Sequence, residues 1–225
     1  MPRIFHLFTR VMLLLTVAGP AAAATLEVVM QQTDGSPVAD AVVTLQGPVG
    51  APAGPLKADM DQRGQRFAPH VLAVHTGTQV RFPNSDNIRH QVYSFSSAKR
   101  FELRLYEGTP TAPLLFDKPG VVVLGCNIHD WMLGYIYVTD DPRFGVSDAQ
   151  GRVRLEQLPP GNYRATLWHP QLADMQPLDG GTLQVPAAGL SHRVVLALEP
   201  APADLPPTPS AFGDAFNRAA RETAQ

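Results

Sequence analysis

Hydrophobic positions along the chain form short runs, and no long helical period appears before the C-terminus. Residues 90–95 and 100–106 alternate between apolar and polar side chains, as half-buried strands do, and residues 26–30 form a short β-type run. Residues 121–124 are wholly apolar, which predicts a strand within a core. Further strands are predicted over residues 41–45, 71–74, 79–82, 135–138, 153–155, 163–168, 183–185 and 193–198. Because Gly, Pro and Asp separate these runs, the pattern predicts an all-β protein.

The first 24 residues have the pattern of a secretory signal peptide. Arg3 and Arg10 make the start basic, residues 11–18 are apolar, and three alanines at 22–24 supply small residues for cleavage. The apolar run is too short to remain as a spanning anchor. We therefore expect cleavage near Ala24, export to a bacterial periplasm and no stable membrane anchor.

Composition excludes several classes of function. The 225 residues carry a net charge of −2 and only 17% charged side chains, so no basic patch indicates nucleic-acid binding. No Ser-His-Asp set, paired carboxylate site or phosphate-binding loop stands out, and we expect a protein that is not an enzyme. About 200 residues follow the signal, enough for one large or two small domains.

Cys126 is the only cysteine of the chain. Exported proteins usually use cysteines in disulfides, and a lone cysteine cannot form one within its own chain. It must be an inert buried thiol, an intermolecular bridge or a metal ligand. His129 and Met132 follow it at the spacing Cys-x2-His-x2-Met. Two histidines, one cysteine and a weak axial methionine form the ligand set of electron-transfer blue-copper centres, so a second histidine is needed.

His90 is the best candidate for that second histidine, because it ends a polar loop and begins a predicted strand. Three short sequence motifs contain or precede the candidate ligands: FPN-x-D from residue 82, HQVYSFS from residue 90 and GCNIHDWM from residue 125. In order and spacing, residues 56–140 resemble a cupredoxin of the plastocyanin and amicyanin type. These motifs are more similar still to exported proteins of the "methylamine utilization protein" type.

The resemblance implies a Greek-key β-sandwich that holds one type 1 copper per chain. His90, Cys126 and His129 would be the three strong ligands, and Met132 would be the long axial ligand. Two alternatives stay open from the residues alone. One is a different metal role, such as a zinc or type 2 copper site, and the other is a buried cysteine with an incidental histidine and methionine.

Residues beside the candidate ligands are also expected to have roles. Asn84 is expected to bond across to the backbone near Asn127 and so to tie the two ligand segments together. Ile128, Trp131 and Leu133 would form an apolar docking patch around a partly exposed ligand histidine. The alternative for Trp131 is that it simply packs over the site.

The remaining candidates for metal ligands are weaker. His70 and His75 are expected on the surface or in loops, and His169 and His192 are expected to be structural. Asp130 lies between two ligands in sequence, where we expect a hydrogen-bonding or solvated side chain.

A second domain is indicated by residues 148–163, which resemble the carboxypeptidase regulatory-like, transthyretin-like β-sandwich. The opening segment of that family is missing there but present at residues 34–43. We therefore hypothesise that residues 25–48 and 141–198 form one small sandwich, with the cupredoxin domain at 56–140 inserted between them. The alternative assigns residues 25–48 to the first strands of the cupredoxin.

The C-terminal residues 199–225 form a separate region in this interpretation. Residues 200–209 are rich in proline, and residues 210–221 could form a short helix.

Taken together, these features predict a monomeric periplasmic blue-copper protein that carries single electrons. Its expected partners are redox proteins such as a c-type cytochrome or a periplasmic dehydrogenase. The alternatives are a copper-binding chaperone or sensor without a shuttle role, and a structural or adhesion module without metal. The redox potential, the identity of the partners and any link to methylamine metabolism are not encoded in these patterns.

Overall fold

A computed structural model describes residues 23–50, 56–110 and 112–200. The predicted signal peptide up to residue 22, part of the Pro/Gly connector and the predicted C-terminal helix lie outside these ranges. The described residues form β-strands and a single short 3₁₀ helix, Ala173–Met175. The strands are β1 Ala24–Gln32, β2 Val42–Gln46, β3 Lys57–Asp59, β4 Asp61–Gln62, β5 Phe67–Ala68, β6 Val71–His75, β7 Thr78–Arg81, β8 His90–Ser94, β9 Phe101–Tyr106, β10 Leu114–Phe116, β11 Gly120–Cys126, β12 His129–Thr139, β13 Arg143–Val146, β14 Arg152–Leu158, β15 Gly161–Trp168, β16 Leu178–Val185 and β17 Leu190–Leu196. The predicted all-β class is confirmed.

One sandwich, called here the terminal sandwich, uses strands from both ends of the described chain. Its sheets have the strand orders β14-β1-β17 and β13-β2-β15-β16. Every second residue of β1 from Ala24 to Met30 is buried, because alternate side chains of a strand point to one face. The core between the two sheets includes Leu26, Met30, Leu45, Val153, Leu158 and Tyr163.

The second sandwich, called here the central sandwich, is built from β3 to β12. Its larger sheet has the order β6-β12-β11-β8-β9, and its smaller sheet has the order β10-β7-β3. The short hairpin β4-β5 is paired separately. The core contains side chains from both sheets and from the hairpin, among them Phe67, Val80, Phe116, Val122, Cys126 and Ile136. Cys126 therefore lies in the core of this sandwich.

Strand β2 pairs within the terminal sandwich. Val43 lies opposite Leu167 of β15 and Gly145 of β13, although both partners are more than 100 positions from Val43 along the chain. The insertion hypothesis requires this pairing. The described pairings of β2 do not involve residues 121–138. The exact domain boundaries stay a prediction.

An aromatic cluster joins the two sandwiches. Trp168 and Val42 of the terminal sandwich pack against Val71, Tyr135 and Tyr137 of the central one. The ring centroid of Trp168 lies 5.9 Å from that of Tyr135 and 5.3 Å from that of Tyr137. Both tyrosines belong to β12, so the terminal sandwich covers the outer face of that strand.

His169 follows the Trp168 strand and is structural, as expected. It is 5% exposed, its Nε2 lies 3.2 Å from the carbonyl oxygen of Ala39, and its Nδ1 accepts a 3.1 Å bond from the backbone N–H of Gln171. Burial is the main cause that lowers its pKa below the ordinary 6.5, because charging a buried imidazole costs solvation.

This burial predicts that acid destabilises the protein partly through His169. The unfolded chain takes up a proton near pH 6.5 while the folded chain does not, so the free energy of unfolding falls as the pH drops below about 6.5. The loss levels off once the pH is below the lowered pKa. Urea denaturation of the wild type and of His169→Gln at pH 7.5 and 5.5 checks this. The variant should lose less stability between the two pH values, and an equal loss contradicts the assignment.

Strands that the pattern did not predict lie mostly at the sheet edges. They are β3, β4, β5, β10 and β13, of two to four residues each. Such runs are too short for a detectable alternation, so partner strands decide whether they form. Within the described ranges, no helix is long and apolar enough to cross a membrane.

Candidate metal centre

Two of the predicted ligands lie at the tight connection between β11 and β12. Cys126 is the last residue of β11, His129 is the first of β12, and the two are opposite each other across the ladder. Only Asn127 and Ile128 separate them. The sequence pattern predicted that the next strand begins at residue 135. That boundary is wrong, because backbone pairing continues up to His129, with one irregularity between Leu124 and Cys126.

The third predicted ligand comes from the neighbouring strand. His90 is the first residue of β8, and β8 pairs with β11 through Tyr93 and Gly125. His90 is fully buried, Cys126 is 2% exposed and His129 is 9% exposed. Their candidate ligand atoms all lie within 4.8 Å of one another.

The spacing of these atoms fits a trigonal metal site. Sγ of Cys126 lies 3.9 Å from Nδ1 of His90 and 3.7 Å from Nδ1 of His129. Bonds of about 2.3 Å to sulfur and about 2.0 Å to nitrogen, meeting near 120°, separate the two atoms by about 3.7 Å. The three side chains could therefore hold one metal ion with little rearrangement.

Met132 lies near this group, three residues beyond His129 on β12. It is 1% exposed and belongs to the same buried cluster as Cys126. A thioether is a weak, soft ligand that suits copper better than hard cations. Its burial beside Cys126 is compatible with the predicted axial role.

Asn84 does not make the expected bond across to Asn127. Its Nδ2 donates to the carbonyl oxygens of Ile88 at 2.8 Å and Tyr106 at 3.0 Å, and its Oδ1 accepts the backbone N–H of Asp86 at 3.1 Å. All three partners lie on the His90 side of the site. Asn84 shapes the loop before His90, because its short amide satisfies local backbone groups first.

Asp86 is a functional candidate that the pattern did not single out. Its Oδ2 lies 2.8 Å from Nε2 of His90, and its carboxylate also accepts backbone N–H groups from Gly64 at 2.6 Å and Gln65 at 2.9 Å. Burial acts to raise the pKa of Asp86, but these hydrogen bonds outweigh it and hold the pKa below its ordinary value. The sequence feature that could have identified Asp86 is its position four residues before a candidate ligand histidine.

His129 is held between two rings. Its ring centroid lies 4.9 Å from that of His90 and 5.2 Å from that of Trp131. Burial first, and then the nearby His90, lower the pKa of His129 below 6.5. A neutral imidazole is the form that binds metals, so this environment favours metal binding at neutral pH.

The predicted docking patch is exposed mainly at Ile128. That side chain is 49% exposed, whereas Trp131 and Leu133 are half-buried. Trp131 packs edge-on against His129. Leu133 lines a cavity of about 270 Å³ between the two sandwiches.

The other candidate residues lie apart from this group. Nδ1 of His70 lies 3.2 Å from Oδ2 of Asp40, and His75 lies at the far end of β6. His192 belongs to β17 of the terminal sandwich, and Asp130 is exposed. Across the part of the chain that the structure describes, His90, Cys126 and His129 are the only such cluster of potential metal ligands.

Comparisons with known proteins give similarities to solved copper-protein structures. No protein-family model and no curated protein matches the chain. A Cu-containing nitrite reductase from Thermus scotoductus SA-01 aligns at 30% identity over 42% of this chain, with a TM-score of 0.36, and the match spans 25% of that enzyme. A purple cupredoxin from Nitrosopumilus maritimus aligns at 21% identity over 36% of this chain and 99% of its own, with a TM-score of 0.33. A reduced amicyanin variant aligns at 20% identity over 36% of this chain and 80% of its own, also with a TM-score of 0.33. All three TM-scores lie below 0.5.

Proposed function

We propose that this protein is a periplasmic type 1 copper protein that carries single electrons between redox partners. The observation that carries the proposal is the buried set of His90, Cys126 and His129, whose ligand atoms lie within 4.8 Å of one another. One thiolate, two imidazoles and a buried thioether from Met132 are the donors that blue-copper electron-transfer sites use. Copper, when bound, supplies a one-electron couple.

The frame around the ligands supports fast electron transfer. Cys126 and His129 face each other across the β11-β12 ladder, and His90 begins the adjacent strand. Side chains fixed by a sheet keep their geometry whether or not the metal charge changes, so little reorganisation opposes the transfer. The burial of Cys126 also shields the thiolate from oxidation.

Partner binding would take place where the site approaches the surface. Ile128 is half exposed beside His129, and Trp131 covers the imidazole. A redox partner with an apolar contact surface, such as a c-type cytochrome or a periplasmic dehydrogenase, would dock there. In this proposal the protein is a monomer and has no catalytic activity of its own.

The terminal sandwich has a supporting role in the same proposal. Residues 25–48 and 141–198 would form one domain interrupted by the copper domain at 56–140, consistent with the pairing of Val43 with Leu167.

Loading purified protein with Cu(II) tests the function. We expect one copper per chain, an intense visible absorption from thiolate-to-copper charge transfer and an EPR signal with narrow hyperfine splitting. Voltammetry should then show a reversible one-electron couple, which an electron carrier requires. A colourless complex contradicts a blue-copper site, whereas a coloured complex with slow redox cycling contradicts the carrier role.

A further inference from the structure

We propose that Asp86, held by the surface turn at residues 63–66, is a positioning residue that fixes His90 for metal binding. This inference rests on the proposed function, because His90 is one of the proposed ligands. The relevant contacts join an exposed turn, a partly buried carboxylate and a fully buried imidazole.

The first step is the tautomer of His90. An ionised carboxylate can only accept hydrogen bonds, so the 2.8 Å contact between Oδ2 of Asp86 and Nε2 of His90 requires the proton on Nε2. The lone pair is then on Nδ1, the atom that lies 3.9 Å from Sγ of Cys126. His90 is fully buried, so solvent cannot replace this bond easily. Asp86 thus selects the tautomer that can bind a metal at Nδ1.

The second step is the turn that holds Asp86. Gly64 and Gln65 both have left-handed backbone conformations, with φ values of 62° and 58°. In this conformation their successive N–H groups point to the same side and form an anion-binding nest for the carboxylate. Gln65 is not a glycine, so its left-handed backbone needs compensation, which the bond to Asp86 supplies.

The third step connects the same hairpin to the other ligand strand. The turn joins β4 to β5, and Phe67 of β5 packs on Gly134 of β12. A Cβ atom at Gly134 would lie 2.7 Å from Cβ of Phe67, so only glycine permits this approach. The hairpin therefore touches the His90 segment through Asp86 and the Met132 strand through Phe67. It provides the tie between ligand segments that the sequence pattern assigned to Asn84.

A matched pair of variants tests the proposal. Asp86→Asn keeps the size of the side chain but replaces one carboxylate oxygen with an amide nitrogen. Asp61→Asn is the control, because Asp61 lies in the same hairpin and bonds to Ser85 and Arg63 at 2.8 and 3.1 Å without touching His90. The readouts are ¹⁵N NMR of the His90 ring in metal-free protein and competition titration with Cu(I) and Cu(II).

For Asp86→Asn we expect a His90 ring that is no longer fixed as the Nε2–H tautomer and a copper affinity that is about 10–100-fold weaker. Asp61→Asn should keep the wild-type tautomer and affinity. An unchanged tautomer in Asp86→Asn overturns the proposal, and so does an equal loss of affinity in both variants. The tautomer of His90 is measured in metal-free protein, so this measurement does not depend on the copper-loading experiment. If the wild-type protein fails to form a blue copper site, the proposed function is rejected, but the NMR comparison still decides whether Asp86 fixes the tautomer.

Discussion

Replacing Cys126 with serine should abolish the intense visible absorption of the copper-loaded protein. The absorption needs a thiolate in the trigonal plane, and Sγ of Cys126 is the atom that lies 3.9 and 3.7 Å from the two imidazole nitrogens. A serine hydroxyl is a harder and less basic donor that does not supply this charge transfer. Absorption and EPR spectra of Cu(II)-loaded Cys126→Ser measure the loss.

Met132→Leu is the matched control for that variant. Leucine fills a similar volume in the buried cluster but has no sulfur donor. Because the axial ligand is weak, the colour should persist while the redox potential changes. Retention of the colour in Cys126→Ser, or its loss in Met132→Leu with the fold intact, contradicts the assigned ligand roles.

Replacing Trp168 with alanine should lower the free energy of unfolding by about 3–5 kcal/mol. Trp168 is fully buried between the two sandwiches, against Tyr135 and Tyr137, and its indole N–H donates to the carbonyl oxygen of Met175 at 2.9 Å. Truncation leaves a cavity and removes the hydrogen bond to the carbonyl oxygen of Met175. Urea denaturation of the metal-free protein measures the change.

The chain contains a natural control for this prediction in its other tryptophan. Trp131 is only half-buried, so Trp131→Ala should cost much less stability than Trp168→Ala. Comparable losses for the two variants mean that the aromatic cluster does not join the sandwiches as described. Neither residue is a ligand, so both folded variants should still bind copper.

The strands that sequence predicted well are those with a strong local pattern. The short β-type run 26–30 lies within β1, and the apolar run 121–124 lies within β11. Each carries enough apolar positions to define a buried face without knowledge of its partners. The two-residue strands β4 and β5 have no such signal, although their hairpin supports the site.

The three strong candidate ligands also differ in how far a local sequence pattern predicts them. Cys126 and His129 are three residues apart, so their proximity follows from any tight turn between paired strands. His90 is 36 residues before Cys126, and it was found only through the sequence motif around it and its position at the end of a polar loop. The roles of Asn84 and Asp86 were not found correctly, because hydrogen-bond partners depend on which loops meet in space.

The sequence by itself determined the all-β class and the spacing of the candidate donors Cys126, His129 and Met132, since alternation, turn residues and short spacings are local properties of the chain. The two sandwiches and His90 were predicted through the family resemblance. Tertiary structure alone decided that β12 begins at a ligand and that the terminal sandwich covers its outer face. It also decided that the β4-β5 hairpin reaches His90 through Asp86. These features join segments far apart in sequence, and their geometry is set by packing and register between strands, which no local pattern specifies.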